Sequence, residues 1–159
     1  MEKDQLLKQE YFRSQAVWYA KRWIGTPYTW AGDDFRSLDC SGLIMEIFKA
    51  LGIFHENEDY SAEALFQKYG RFRIQGLPYA GCLVFWLNAK GQAVHVAIMI
   101  DNYFLIHAAG GGPGTRTVED AIRDNAYVKM RMLEEVADFR KEKYGQDHAI
   151  VDPFKEMKA

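Results

Sequence analysis

Apolar residues recur at helical spacing most clearly between positions 43 and 51. There Leu43, Ile44, Ile47, Phe48 and Leu51 form one face, and Gly52 follows as a stop. Asp39 or Ser41 can accept a hydrogen bond from the free amides that open this helix, which puts Cys40 on its first turn. Upstream, about Asp4 to Ile24 reads as one long helix. Leu7, Tyr11 and Trp18, with Leu6, Ala16, Ala20 and Trp23, mark a broad apolar face, and Gly25 followed by Pro27 ends it. Gly25 to Gly32 is then a tight aromatic loop, and Asp33 to Leu38 a polar linker. Ser61 caps a short helix that runs to about Tyr69, with Gly70 closing it.

Beyond Gly70 the period changes to that of strands. Phe72 to Ile74 reads as a short strand and Leu77 to Gly81 as a turn. Cys82 to Leu87 is a nearly continuous apolar run, as in a strand covered on both faces. Asn88 to Gln92 is a hairpin connection into a strand at Ala93 to Ile100, and Asp101-Asn102 is a two-residue turn into Tyr103 to His107. The run Gly110 to Gly114 lacks the Gly-Lys-Ser/Thr ending and the helix start of a phosphate loop, so that reading is discounted. Thr115 to Val118 is expected as an edge strand, Glu119 to Asn125 as a short helix and Ala126 to Leu133 as the last strand. The charged segment 134–159 is expected as a peripheral helix and a loose end, outside a single domain at 1–133.

Composition narrows the classes. A length of 159 residues fits one core, and 48% apolar with 26% charged residues is ordinary for a globular protein. A net charge of −2 with interspersed signs carries no nucleic-acid footprint. The aromatic share of 14% is high, and suits core packing first, with sugar or peptide binding as the other use. Two distant cysteines make no disulfide framework. The charged start Met1-Glu2-Lys3-Asp4 is not a secretory leader, and no run is apolar enough for a membrane span. The expectation is a soluble chain made in the cytoplasm. Action elsewhere would require another carrier, for example a phage particle.

Candidate chemistry centres on Cys40. A thiol at a helix N-terminus is expected to have a lowered pKa, because free amides and the macrodipole favour an anion there. A free cysteine is also commonly a plain core residue. His95 lies in an apolar strand and His107 ends the next one; strands joined by a tight turn are adjacent, though spacing leaves their register open. His55 and His148 sit in polar surroundings and are expected at the surface. Thiol catalysis needs a nucleophile, a base and a group that orients the base, which Cys40, His95 and His107 can supply. The Cys40 backbone N–H and the Tyr28 hydroxyl are candidate oxyanion donors, and Tyr28 reads equally as a packing aromatic.

The ordered blocks Gly25-Thr26-Pro27-Tyr28, Asp39-Cys40-Ser41-Gly42-Leu43, Gly81-Cys82-Leu83-Val84-Phe85-Trp86, His95-Val96-Ala97-Ile98 and His107-Ala108 resemble the NlpC-type cell-wall cysteine peptidases over roughly residues 15–133. The resemblance implies a papain-like α+β fold, with N-terminal helices packed on an antiparallel sheet and the nucleophile at a helix N-terminus. It implies Cys40 as nucleophile, His95 as base, His107 as third member and Tyr28 as active-site tyrosine. The implied reaction is hydrolysis of peptidoglycan stem peptides, often at a D-glutamyl–diamino acid bond, through a thioester and with no cofactor or metal. Asp39 and Ser41 would bind the substrate's free amine, and Trp30 joins them as a candidate binding residue. Two positions depart from the family pattern: Cys82 stands where aspartate is common, and Ala31 where glycine is. A cell-wall amidase, an acyltransferase or an inactive binding module on the same fold are the alternatives. A zinc site from Cys40, Cys82, His95 and His107 is disfavoured by their scattered spacing.

Overall fold

The computed structural model describes residues 2–30, 33–34 and 37–159, with side chains from 2–30 and 39–159. The Ala31 and Gly32 end of the aromatic loop, including the departure at Ala31, lies outside the described residues. Helix α1 (Glu2–Arg22) carries Glu2 and Asp4 in its first turn and Lys21 and Arg22 in its last, matching the helix dipole at both ends. Its buried positions are Gln9, Ala16 and Ala20, while Leu6, Leu7, Tyr11 and Trp18 stay exposed. The broad apolar face expected for this helix is therefore corrected. Small alanines let α1 approach the core closely, with Phe12, Tyr19 and Trp23 packed partly against it, and Leu6, Leu7, Tyr11 and Trp18 are left outside.

The polar part of the buried stripe anchors the C-terminus. Arg13 donates from Nε and Nη2 to Asp152 at 3.1 and 2.6 Å, and Gln9 donates to the Met157 carbonyl. Short strands β1 (Asp33–Asp34) and β2 (Ser37–Leu38) pair where a linker was expected. Helix α2 (Cys40–Ala50) starts at the Asp39 cap and buries Leu43, Ile44, Met45, Ile47 and Phe48. Gly52, at a φ of +74° that disfavours any side chain, turns the chain out of it. Helix α3 (Ala62–Tyr69) follows the Ser61 cap. Gly70 does not stop it in a left-handed turn: its φ is −57°, and a 3-10 turn continues to Phe72. The strand expected at Phe72 to Ile74 is reduced to a single bridge at Arg73.

Five antiparallel strands form the sheet in the order β6-β5-β4-β3-β7. They are β3 (Leu83–Leu87), β4 (Ala93–Met99), β5 (Phe104–Ala109), β6 (Tyr127–Met132) and β7 (Asp147–Val151). Leu83, Phe85, Val96, Ile98, Ile106 and Ala108 pack against α1–α3. Val84, Trp86, Ala97, Met99 and Leu105 pack on the other face against Val136 of helix α5 (Leu133–Tyr144). Burial on both faces accounts for the unbroken apolar run of β3.

Several expectations change. The β4–β5 turn holds three residues, because Ile100 N–H reaches the Phe104 carbonyl and Asp101 Oδ1 accepts from Tyr103 and Phe104 N–H. Thr115 to Val118 is not a strand. Thr117 and Asp120 form a capping box that opens helix α4 (Val118–Asp124). The segment 134–159 is not peripheral. After α5 it returns as β7, pairs with β3 from Leu83↔Val151 to Leu87↔Asp147, and buries Asp152 and Phe154. Without β7, β3 would present an open edge with unpaired backbone groups. Among the described residues no helix is long and apolar enough to cross a membrane.

Candidate active site

The Cys40 thiol is positioned by the cap that starts α2. Asp39 Oδ1 accepts from Gly42 N–H at 2.6 Å and from the Ser41 hydroxyl at 3.4 Å, so the first turn is pinned around the sulfur. Backbone N–H groups of Val96, on β4, and of Ser41 are directed at that sulfur. Cys40 is partly exposed as a residue, yet burial of its sulfur is the largest influence on its ionisation. Burial, followed by the Asp39 carboxylate, pushes the thiol up to about 11, against the pull of the two amides and the Arg140 guanidinium. The lowered pKa expected from the helix N-terminus is thus corrected: desolvation outweighs the dipole, and the resting group is a neutral thiol.

The two strand histidines meet. Between β3 and β4 the register slips after Trp86, so Trp86 pairs with His95 and Leu87 with Ala93, leaving Val94 bulged outward. His95 Nε2 lies 2.8 Å from His107 Nδ1, with the rings edge to face. Both rings are buried on the α5 side of the sheet, and the Trp86 ring lies 5.5 Å from His95. Burial, then Arg140, holds both imidazoles below their ordinary pKa; for His107, Arg131 and Lys129 add to it.

Cys40 and His95 line one cavity of about 380 Å³, together with Tyr28, Trp30, Asp39 and Arg140. His107 stands behind His95, outside the cavity wall, and Ser41 turns its hydroxyl to Asp39. Tyr28 is buried, and its phenol is held protonated by burial and by the negative charge that Cys40 and Asp39 would carry. Trp30 is half exposed at the cavity edge. His55 is exposed, as expected. His148 is instead half-buried on β7, its ring 6.2 Å from Trp86, because the tail folds into the sheet. Cys82 is fully buried beside Val84 and Tyr79. A larger hollow of about 750 Å³ beside α1 and α2 is lined by Glu46, Lys49 and Glu56 but by no cysteine or histidine.

Two contributors were missed in the sequence. Arg140 reaches the site from α5, where it donates to Gln146 at 2.9 Å and lies over Trp86. It sits in a run of charges with no spacing that marks it. Gly111 packs directly on the Tyr28 ring, so the glycine run matters as a close approach rather than as a phosphate cradle. Chemically, the cavity offers a protonated nucleophile, a neutral imidazole, a phenol donor and a fixed cation.

The chain is similar to "Probable peptidoglycan endopeptidase LytE" of Bacillus subtilis, 28% identical over 120 residues, which is 76% of this chain and 33% of LytE. It therefore spans about a third of that relative's length. Its structure resembles the NlpC/p60 domain of the peptidoglycan hydrolase SagA, with a TM-score of 0.57 at 25% identity over 87% of this chain and 97% of that domain. The peptidoglycan hydrolase RipB of Mycobacterium tuberculosis shares the fold, with a TM-score of 0.64 at 16% identity over 91% of this chain and 66% of RipB. These neighbours carry the papain-like arrangement of helices on an antiparallel sheet. The sequence pattern of the NlpC/P60 family matches residues 25–132, and the chain belongs to that family.

Proposed function

We propose that this protein is a cysteine endopeptidase that hydrolyses peptide bonds in peptidoglycan stem peptides. The observation that carries the reading is the shared cavity of Cys40 and His95, with His107 hydrogen-bonded behind His95 at 2.8 Å. In this reading the thiol attacks the scissile carbonyl carbon as its proton passes to His95. The tetrahedral oxyanion takes hydrogen bonds from the Cys40 backbone N–H and the Tyr28 hydroxyl. His95 then returns the proton to the leaving amine, which departs as the thioester forms. Water, deprotonated by His95, attacks the thioester and frees the carboxylate product and the thiol.

Because the thiol rests neutral, the base acts during attack rather than before it. His95 Nε2 is engaged by His107, so Nδ1 is the nitrogen left for the thiol. Arg140 favours the thiolate and opposes the imidazolium, which places its net benefit at the sulfur and the developing oxyanion. Asp39, with Trp30 at the edge, is the group suited to a substrate ammonium, consistent with an N-terminal stem peptide and cleavage at the D-glutamyl–diamino acid bond. LytE and SagA, as named, act on the same polymer.

Mass spectrometry of free stem peptides and of muropeptides incubated with wild-type protein and with Cys40→Ala tests the reading. Wild type is expected to release the amino-terminal dipeptide from the free stem peptide, and Cys40→Ala nothing. Equal cleavage by Cys40→Ala removes the thiol mechanism, and release of intact stem peptide from the sugar would make the protein an amidase.

A further inference from the structure

The hydrogen bond between the histidines has a consequence for the atom beyond it. For His95 Nδ1 to accept a proton from the thiol, the His95 hydrogen must sit on Nε2 and be donated to His107 Nδ1. His107 then carries its own hydrogen on Nε2. That atom is buried and has no hydrogen-bond partner among the described residues. An orphaned buried donor costs about 1–3 kcal/mol and calls for an acceptor.

His107 lines a second cavity, of about 360 Å³, on the α5 side of the sheet. Its other walls include Lys129, Arg131, Arg140, Lys143 and Tyr144, and no carboxylate is among them. Arg131 pairs at 3.6 Å with Glu135, which does not line the cavity. Lys129 meets a backbone carbonyl, Arg140 an amide and Lys143 aromatic faces, contacts that leave their charge uncompensated. Gathering like charges around an unpartnered N–H is unfavourable without an anion to offset it. Ala109, Gly110, Gly111 and Arg140 wall both this cavity and the one holding Cys40.

We propose that this second cavity is an oxyanion site, taking a phosphoryl or carboxylate group that accepts from His107 Nε2 and is held by Arg131, Arg140, Lys129 and Lys143. Occupancy locks the tautomer that leaves His95 Nδ1 free as base, and supplies negative charge behind the imidazolium formed in the reaction. The Nε2–H tautomer of His107 and the effect on activity rest on the peptidase reading above; the basic lining of the cavity does not. The ligand has two possible sources, a free phosphate acting as an activator or a carboxylate of the stem peptide itself.

Inorganic phosphate is the probe, titrated calorimetrically at low ionic strength into wild type, Cys40→Ala and the surface double variant Arg131→Ala/Lys143→Ala. Thermal unfolding of each confirms that it is folded. Saturable one-to-one binding is expected in wild type and Cys40→Ala, weakened about tenfold or more in the double variant. The His107 Nε2 proton, followed by NMR, should gain protection from exchange on binding. Absence of saturable binding, or equal binding by the double variant, overturns the site. On muropeptides, a phosphate-dependent rise in kcat identifies a free anion as the ligand, and competition through KM identifies a substrate carboxylate. Saturable binding that changes neither overturns the link to the histidine pair. Binding by an otherwise inactive wild type would separate failure of the peptidase reading from failure of the site.

Discussion

Acidification from pH 7 to pH 5 should unfold this protein far more readily than its overall charge suggests. His95 and His107 are 5% and 4% exposed, and both are held neutral by burial and by Arg140. In the unfolded chain each titrates near the ordinary histidine value of about 6.5. As pH falls below that value, the unfolded state binds two protons that the folded state refuses, so stability present at neutral pH is progressively lost. Between pH 7 and 5 the linkage amounts to about 2 kcal/mol for each ring, about 4 kcal/mol for the pair. That is a large share of the roughly 5–15 kcal/mol typical of a domain. His148, lowered by burial, adds to the same direction. Urea unfolding followed by tryptophan fluorescence at the two pH values, at constant ionic strength, measures the loss. The double variant His95→Gln/His107→Gln should lose only the smaller remainder. An unchanged wild-type midpoint, or an equal shift in the double variant, would refute the argument.

Gly111→Ala drives a methyl into the Tyr28 ring and to 3.1 Å from Thr115 Oγ1, with nothing positive about its φ to confuse the outcome. The ring must move by about an ångström, and kcat/KM on muropeptides should fall about a hundredfold while the protein stays folded by circular dichroism. Asp152→Ala strips acceptors from Arg13, the Tyr79 hydroxyl and Phe154 N–H, leaving Arg13 charged and unpaired. Its cost should be about 3–5 kcal/mol, seen as a fall in melting temperature of about 10 °C. Arg140→Met removes the cation that acts on the thiol and on both imidazoles, so the pH profile of Cys40 alkylation should move to higher pH. An unmoved profile would mean that the guanidinium does not act on the sulfur.

How far the sequence could be read follows from where each signal resides. Helix α2 was legible because five large apolar residues share one stripe, while its cap was narrowed to Asp39 or Ser41 and falls to Asp39. Strands β3 and β4 were legible from their apolar runs. The union of His95 with His107 was not, since an Asx turn at Asp101 and a bulge at Val94 set the register and neither has a distinctive spacing. The packing face of α1 was misread because burial there falls to Gln9 and two alanines rather than to its largest residues. Strand β7, Asp147-His148-Ala149-Ile150-Val151, begins with two polar residues and follows a charged helix, so its pairing with β3 depends on a tertiary edge that spacing does not reveal.

The tail reshapes the candidate site as well as the sheet. Papain-like chemistry requires only a helix N-terminus facing a strand, and residues 25–132 contain both. Yet Arg140, the cation that biases the thiol and both rings, comes from α5, and α5 also covers Trp86, the neighbour of His95 in the ladder. Burial is the largest influence on both the Cys40 thiol and the His95 imidazole, and it holds each of them neutral. A reaction that begins from two neutral groups must create a separated pair of charges in a poorly solvated space. It can proceed only if the charges that stabilise them are already in position. Arg140 meets that requirement on the thiolate side. On the imidazolium side the charges that bear on both rings are cations, so in the proposed reaction the thiolate itself and an anion bound behind His107 supply the opposing charge.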